Sequence, residues 1–144
     1  MTCLACDVGA GRVRPPGGTI YEDEYWQLAH SVSPVQLRGW LVLVSKRHVL
    51  DVGALTADEA AALGPIAASG AAALQSAVGA ERVYVCSLGR EPHLHVHFHF
   101  VPRHAGMPDA PLDLLAAMWS NQSPWACGDE EAAAVAETVR RAWP

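Results

Sequence analysis

The chain has 144 residues, of which 51% are hydrophobic and 17% charged, the composition of one ordinary soluble globular domain. Its formal net charge of −5 argues against non-specific binding to nucleic acid, because such binding depends on cations that neutralise phosphates. Residues 1–144 are therefore expected to form a single domain that binds no nucleic acid polymer. A small phosphorylated ligand is still compatible with this charge, since a local site can be positive on an acidic protein.

The N-terminal segment carries two cysteines, Cys3 and Cys6, followed by a loop rich in glycine and proline. A two-residue spacer lets both thiolates bind one tetrahedral zinc ion, but two further ligands must come from elsewhere in the chain. The N-terminus shows no basic segment followed by an apolar run, so we expect no secretory signal and a cytoplasmic protein. In that reducing compartment, paired cysteines bind metal more often than they form disulfides.

The next elements are strands. Two short strands are expected on either side of the acidic segment Glu22–Glu24, and the second of them ends near His30. Beyond a loop, the apolar run Trp40–Val44 is typical of a central strand.

The longest helix is predicted to begin after Thr56, which forms a capping box with Glu59. Apolar residues at helical spacing then form one stripe, made of Leu63, Ile66, Ala67, Gly70, Leu74, Ala77 and Val78. Pro65 is expected to kink this helix or to split it in two, since it lacks the backbone donor. The segment Ala60–Ala80 has no charged residue, but its Ala, Gly and Ser content partitions poorly into lipid, so we expect no contact with a membrane.

The second half of the chain adds two strands and two helices. A strand is predicted over Arg82–Ser87, and another over His93–Val101, ended by Pro102. Two shorter helices follow, around Leu112–Trp119 and over Asp129–Trp143. This order predicts an α+β fold with an antiparallel sheet of about five strands, one long helix and one or two shorter helices.

The last predicted strand carries four histidines at alternating positions, His93, His95, His97 and His99. Alternate residues of a strand point to one face, so these imidazoles are expected to line a cleft while the intervening apolar residues pack in the core. Chance and a metal site made only of histidines are alternatives, although neighbours along one strand lie too far apart for all four to share an ion. A neutral imidazole can also attack phosphorus and hold a phosphoryl or nucleotidyl group covalently, while its neighbours donate to the phosphate oxygens.

The segment His95–Arg103, HVHFHFVPR, resembles the signature of the histidine triad (HIT) proteins, which has three alternating histidines, two apolar residues and often Pro-Arg. The resemblance extends to the cysteine pair, to the segment Ser45–His48 after the central strand and to the long helix. The C-terminal segment is similar to that of the fragile-histidine-triad, or diadenosine polyphosphate hydrolase, branch. The resemblance implies a HIT-like fold and a homodimer that pairs two sheets.

The middle histidine of the triad is the nucleophile in this family, and the resemblance therefore implies His97 as nucleophile with His95 and His99 as its partners. The row has one histidine too many, so a register of His93, His95 and His97 is the alternative. Pro102-Arg103 favours the first register, because in the second these two residues would come two positions late. His93 is then an extra residue, which either lines the cleft or lies behind the residues that contact the ligand.

A zinc site is a second implication of the resemblance. In HIT relatives with a cysteine pair, and in the related galactose-1-phosphate uridylyltransferases, a histidine after the central strand and the first histidine of the triad complete the ligand set. Carried over, these ligands of a structural zinc are Cys3, Cys6, His48 and His95, with His93 as the alternative fourth ligand.

The resemblance further implies a nucleotide site without an organic cofactor. His30 and the loop residues Ser87, Leu88 and Gly89 are expected near the nucleotide or its phosphates, with a surface position as the alternative for His30. HIT proteins often have Gly-His at the entry of the central strand, whereas this chain has a glycine followed by Trp40. The indole is expected to stack on a base or to pack the dimer, and loss of the histidine to alter the phosphate contacts.

These features predict a hydrolase or transferase that acts on the α-phosphate of a nucleotide conjugate through a covalent nucleotidyl-histidine intermediate. The resemblance implies dinucleoside polyphosphates and nucleoside phosphoramidates as substrate classes. One alternative is a nucleotide-binding or scaffolding protein with little activity. Another is a transferase that cleaves a nucleotide-linked metabolite.

Overall fold

The computed structural model describes residues 3–33, 37–89, 94–120 and 122–144. Five antiparallel strands form one sheet in the order β1-β2-β3-β5-β4, namely β1 (Thr19–Glu22), β2 (Trp26–His30), β3 (Leu41–Ser45), β4 (Arg82–Cys86) and β5 (His97–Arg103). The helices are α1 (Leu4–Gly9), α2 (Ala57–Val78), α3 (Pro111–Met118) and α4 (Asp129–Ala142), with a 3-10 helix over Val52–Ala54. The predicted α+β fold with an antiparallel sheet is confirmed, and α1 is an element that the sequence did not predict.

The sheet separates two hydrophobic clusters. On one face, α2 and α4 cover the larger cluster, in which Leu43 and Phe100 of the sheet pack with Leu74 of α2. On the other face, α3 covers a smaller cluster that contains Trp40 and Val101. Each strand therefore contributes alternate side chains to two different environments. The second face, only partly covered by α3, is the face on which a pocket forms.

Helix α2 begins as predicted. The hydroxyl of Thr56 accepts the backbone N–H of Glu59 at 3.2 Å, and the carboxylate of Glu59 accepts the backbone N–H of Thr56 at 2.8 Å. Pro65 does not split the helix, which is continuous over 22 residues. Pro65 and Ala61 are both exposed, so water can bind the Ala61 carbonyl that loses its intrahelical partner.

By length and composition alone, α2 is long and apolar enough to cross a membrane, with a mean hydropathy of 1.3. In the structure, however, Ile66, Gly70 and Leu74 are buried, and α2 packs against α4 and the sheet. Of the apolar window, 22% is buried in the structure, and one such helix is weak evidence for a membrane span because the core helix of a soluble protein meets the same criterion.

The strand that carries the histidines begins later than predicted, at His97 and not at His93. Its partner β3 ends at Ser45, whose N–H donates to the carbonyl of Val96 at 3.2 Å, so the chain before Val96 has no further β3 residue to pair with. His95 therefore lies just before the strand. His93 lies outside the described residues.

Pro102 lies inside β5, opposite Val83 of β4, and does not end the strand. The carbonyl of Arg103 accepts the N–H of Glu81 at 2.9 Å, so the amide groups of Pro102, one residue earlier, face away from β4. On the other side of β5, the pairing with β3 extends only from His97 to Phe100, which lies opposite Leu41, and does not reach Pro102. The missing N–H of Pro102 consequently costs no hydrogen bond of the sheet.

Candidate active site and metal centre

A pocket of about 400 Å³ lies on the sheet face opposite α2. Its walls are mostly apolar, from Leu4, Ala5 and Val8 near the N-terminus, Ala29, Val42 and Val44 of the sheet, and Trp40 and Trp119. Four imidazoles also line it, those of His30, His95, His97 and His99. Among the described residues that line the pocket there is no Asp, Glu, Lys or Arg. Polar recognition of a ligand by these residues must therefore come from imidazoles, hydroxyls and amides.

His97 is the first residue of β5 and is partly buried. Its Nδ1 lies 2.6 Å from the backbone carbonyl oxygen of His95. A carbonyl only accepts, so Nδ1 carries the proton and donates it, and the lone pair of the neutral ring is on Nε2. The ring is thus fixed in the tautomer that leaves Nε2 available as a nucleophile.

His99 is buried, and both of its ring nitrogens are engaged. The indole Nε1–H of Trp40 donates to Nδ1 at 3.0 Å, and Nε2 donates to the backbone carbonyl of Leu88 at 3.2 Å. Burial, with the neighbouring His97 as a smaller cause, lowers the pKa of His99 to about 4, although the bond to Leu88 acts in the opposite direction. His99 is therefore a neutral imidazole at physiological pH.

His95 faces a different group of residues. Its Nε2 donates to the backbone carbonyl of Ser45 at 2.7 Å, which leaves the lone pair on Nδ1. That nitrogen lies 3.3 Å from Sγ of Cys3, 3.6 Å from Sγ of Cys6 and 3.2 Å from Nδ1 of His48. The pKa of His95 is lowered, mainly by burial, which keeps this nitrogen unprotonated and able to bind a metal.

The donor set of Cys3, Cys6, His48 and His95 has the size and chemistry of a tetrahedral zinc site. One ligand atom from each residue lies within 4.8 Å of the others. Bonds of zinc to sulfur and nitrogen imply about 3.3 to 3.8 Å between ligand atoms, and the contacts from Cys6 to His48 and His95 are 3.3 and 3.6 Å. Burial raises the pKa of the Cys6 thiol, so a bound cation is what would stabilise its thiolate. These four residues therefore fit a zinc ion.

The segment after β3 holds His48 in place through its neighbour. Arg47 donates to both carboxylate oxygens of Glu59, at 2.8 and 2.7 Å, and to the carbonyl of Ala54 at 2.9 Å. The paired Arg47 guanidinium lowers the pKa of Glu59 to about 2, so the ion pair persists throughout the physiological pH range. The start of α2 and the segment that carries His48 are therefore connected by a bidentate ion pair.

The other predicted binding residues differ in whether their polar atoms are free to contact a ligand. His30 is buried with both ring nitrogens bound to the backbone, since Nδ1 donates to the Ser31 carbonyl at 3.0 Å and Nε2 accepts the N–H of Gly39 at 3.1 Å. Only the carbon atoms of its ring are left to contact a ligand. Leu88, through its carbonyl, contacts His99.

The rest of the loop before β5 is close to the histidines. A Cβ added at Gly89 would lie 3.8 Å from Cε1 of His97, so this glycine lies beside the predicted nucleophile. Ser87 and Leu88 are exposed and do not line the pocket. His93 lies outside the described residues, and both its predicted roles, in the cleft and as fourth ligand, stay predictions. The structure thus brings together the three histidines of the predicted triad and the four predicted metal ligands.

The bond from Trp40 to His99 is the contact that sequence reasoning missed. The sequence singles out Trp40, because it stands where HIT proteins often have the histidine of a Gly-His pair. However, the sequence predicts that this indole stacks on a base or packs the dimer. The two residues are 59 positions apart in the chain, and Val42 of β3 is the partner of His99 in β5. The strand pairing brings the indole against the ring of His99.

No protein-family model matches the chain, and no curated protein matches its sequence. Solved structures do match it. A hypothetical histidine triad nucleotide-binding protein from Sulfolobus tokodaii strain 7 superposes with a TM-score of 0.73 at 21% identity, covering 97% of this chain and 91% of that one. A histidine triad protein from Sinorhizobium meliloti 1021 superposes with a TM-score of 0.64 at 25% identity, covering 88% and 89%. The chain has the histidine triad fold.

A zinc-bound histidine triad family protein from Mycobacterium smegmatis superposes with a TM-score of 0.70 at 22% identity, covering 99% of this chain and 94% of that one. The histidine triad fold thus extends over nearly all of the chain, and zinc is found in one protein of this fold. None of these three proteins is described as a fragile-histidine-triad protein, so the comparison supports the fold and not that branch.

Proposed function

We propose that this histidine triad protein is a nucleotidyl hydrolase or transferase that acts on the α-phosphate of a nucleotide conjugate. The observation that carries the proposal is the tautomer of His97, whose Nδ1–H is held by the His95 carbonyl at 2.6 Å in a ring that lines the pocket. In a neutral ring this arrangement places the lone pair on Nε2, the nitrogen that must form the bond to phosphorus.

The reaction needs two displacements at phosphorus. Nε2 of His97 forms an N–P bond as the bond from phosphorus to the leaving group breaks, and the leaving group departs with the electron pair. Water or another acceptor then attacks the same phosphorus, the N–P bond breaks, and the pair returns to Nε2 while the attacking group loses its proton to solvent. The second step decides between hydrolase and transferase.

The pocket supports a nucleotide as substrate. Its volume of about 400 Å³ lies in the range of small-molecule sites. Its apolar walls and the indoles of Trp40 and Trp119 suit a base and a ribose, while the imidazole end suits a phosphate. Dinucleoside polyphosphates and nucleoside phosphoramidates are the substrate classes that we propose.

The metal centre would be structural. Cys3, Cys6, His48 and His95 supply four ligands, so a bound zinc would have no open position for substrate and would instead tie the N-terminal segment to the chain beside β5. We expect no organic cofactor. A homodimer that pairs two sheets and a cytoplasmic location complete the proposal.

The test is to trap the intermediate. Purified protein is mixed with diadenosine tetraphosphate or an adenosine phosphoramidate, quenched, digested and analysed by mass spectrometry for a nucleotidylated peptide. We expect the adduct on His97 and neither adduct nor turnover in His97→Ala. An adduct on His95 would overturn this register of the triad. Binding of nucleotide without turnover in both proteins would favour the scaffolding alternative.

A further inference from the structure

Trp40 lies at the entry of β3 and is buried, with 7% of its surface exposed. Its indole ring is 5.4 Å from the ring of His99, at an interplanar angle of 48°, and its Nε1–H donates to Nδ1 of His99 at 3.0 Å. An indole nitrogen is only a donor. Nδ1 of His99 must therefore be the accepting, unprotonated nitrogen for as long as this bond exists.

The other ring nitrogen of His99 is assigned by the same reasoning. Nε2 faces the carbonyl oxygen of Leu88 at 3.2 Å, and a carbonyl only accepts. Nε2 therefore carries the single ring proton. The two contacts come from different elements, the entry of β3 and the loop after β4, and both require the same neutral tautomer.

The surroundings of His99 also disfavour a second proton. Among the residues that the structure describes, the titratable groups beside His99 are His97 on its own strand, with ring centroids 4.7 Å apart, and Cys86, its partner on β4. On β3, His99 faces Val42 and the indole of Trp40. Burial is the main cause that lowers the pKa of His99 to about 4, in agreement with the hydrogen bonds.

We propose that Trp40 is a positioning residue that makes His99 a neutral hydrogen-bond donor, and that the site is in consequence adapted to cleave phosphoanhydrides rather than phosphoramidates. The inference rests on the proposed function and names the substrate class. In the reacting complex, Nε2–H of His99 exchanges the Leu88 carbonyl for a phosphate oxygen of the substrate.

The two substrate classes differ in what their leaving groups need. When His97 attacks a phosphoanhydride, a P–O bond breaks and its electron pair leaves on a phosphate oxygen, which is a stable anion at neutral pH. A neutral N–H donor is sufficient to stabilise that charge. When a phosphoramidate is attacked, a P–N bond breaks and the pair leaves on nitrogen, which must gain a proton as the bond breaks. His99 cannot accept a second proton to deliver while Trp40 occupies Nδ1.

The experiment compares wild type, Trp40→Phe and Trp40→His on diadenosine tetraphosphate and on an adenosine phosphoramidate with an aromatic amine as leaving group. We expect wild type to have the higher kcat/KM on the anhydride. In both variants, Nδ1 of His99 no longer faces a group that can only donate. Phenylalanine has no hydrogen-bond donor, and the imidazole of a histidine can accept a hydrogen bond as well as donate one. The ratio of phosphoramidate to anhydride kcat/KM should rise about tenfold in each variant at pH 6.

Met118→Ala is the control for lost packing, because Met118 is fully buried in the same hydrophobic cluster as Trp40. It should reduce stability while the ratio stays at the wild-type value. A ratio that is equal in wild type and both Trp40 variants, or that changes as much in Met118→Ala, would overturn the inference.

A second readout does not depend on turnover. In protein with ¹⁵N-labelled histidine, the ring shifts of His99 should show protonated Nε2 and unprotonated Nδ1 from pH 8 to pH 5. In Trp40→Phe, Nδ1 should take up a proton at a higher pH than in wild type. A wild-type shift showing the Nδ1–H tautomer would overturn the positioning role. If wild type cleaves neither substrate, the proposed function fails, and these shifts still decide whether Trp40 positions His99.

Discussion

The properties of each histidine in this site depend on which of its two ring nitrogens carries the proton. Backbone carbonyls of Ser45, His95 and Leu88 each accept a hydrogen bond from one histidine of the triad, and so each fixes one tautomer. Main-chain groups, which cannot titrate, therefore set the ring-proton position in three chemically identical side chains.

The metal ligands give the first prediction at this scale. Protein purified without chelator should contain one zinc per chain, and Cys6→Ser should retain very little, because a hydroxyl is a far weaker zinc ligand than a thiolate. Elemental analysis by mass spectrometry measures the content. Cys127→Ser is the matched control, since Cys127 is not part of the four-residue donor set, and it should keep wild-type zinc. Wild-type protein without zinc would contradict the assignment.

At the scale of elements, β5 serves the core and the site at once. Phe98 and Phe100 pack in the larger cluster with α2, while His97 and His99 line the pocket on the other face. The face of α2 that covers β5 must therefore approach it closely. The approach is close at Gly70, because a Cβ there would lie 2.9 Å from Cε1 of Phe100.

Two glycines of α2 make a matched pair for the second prediction. Gly70→Ala should destabilise the protein by about 1 kcal/mol or more, since overpacking against the fully buried Phe100 exceeds the gain in helix propensity. Gly64→Ala should stabilise by about 0.5 to 1 kcal/mol, because Gly64 is exposed and a Cβ there meets no atom within 4 Å. Urea unfolding measures both. Equal effects of the two substitutions would show that Phe100 moves aside.

Elements with local signals were predictable from the sequence, and elements that depend on distant partners were not. The capping box of Thr56 and Glu59 fixes the start of α2 within four residues. In contrast, α1 has no buried residue, and its cysteines contact His48 and His95, 42 to 92 positions away. The start of β5 depends on where β3 ends.

The candidate site divides in the same way. The spacing of the histidines and cysteines predicted which of these residues the structure brings together in the pocket and in the four-residue donor set, since alternation and a two-residue spacer are local patterns. The role of Trp40 depends on the pairing of β3 with β5, which no local pattern contains. The same holds for the carbonyl groups that set the tautomers.

At the scale of the whole molecule, buried histidines link stability to pH. His30, His99 and His104 are at most 8% exposed, and burial lowers the pKa of each below the usual 6.5. Below pH 6.5 the unfolded chain binds protons that the folded chain does not. The free energy of unfolding is therefore not reduced by these histidines above pH 6.5. It decreases as the pH falls from 6.5 towards the folded pKa, which is about 4 for His99.

The third prediction follows from this linkage. The free energy of unfolding should fall between pH 7 and pH 5.5, by about 1 kcal/mol for His99, whose folded pKa is about 4, and further because burial also lowers the pKa values of His30 and His104. His104→Gln should show a smaller fall, because glutamine cannot titrate and can still donate to the Arg38 carbonyl that His104 contacts at 2.7 Å. Both proteins keep the same metal ligands, so the difference in slope isolates His104. Identical slopes would contradict its buried neutral state.

The two sides of the pocket differ in how they are built, and amide hydrogen exchange should report the difference. Strand β5 is hydrogen-bonded between β3 and β4, so its amides should exchange only when the whole molecule unfolds. Helix α1 has six residues and none buried, so its amides should exchange through local opening, faster after the metal is chelated. A nucleotide in the pocket should then slow exchange in α1 and leave β5 unchanged. Equal protection of the two elements would contradict this, whereas the expected difference would mean that one wall of the pocket is rigid and the other opens locally.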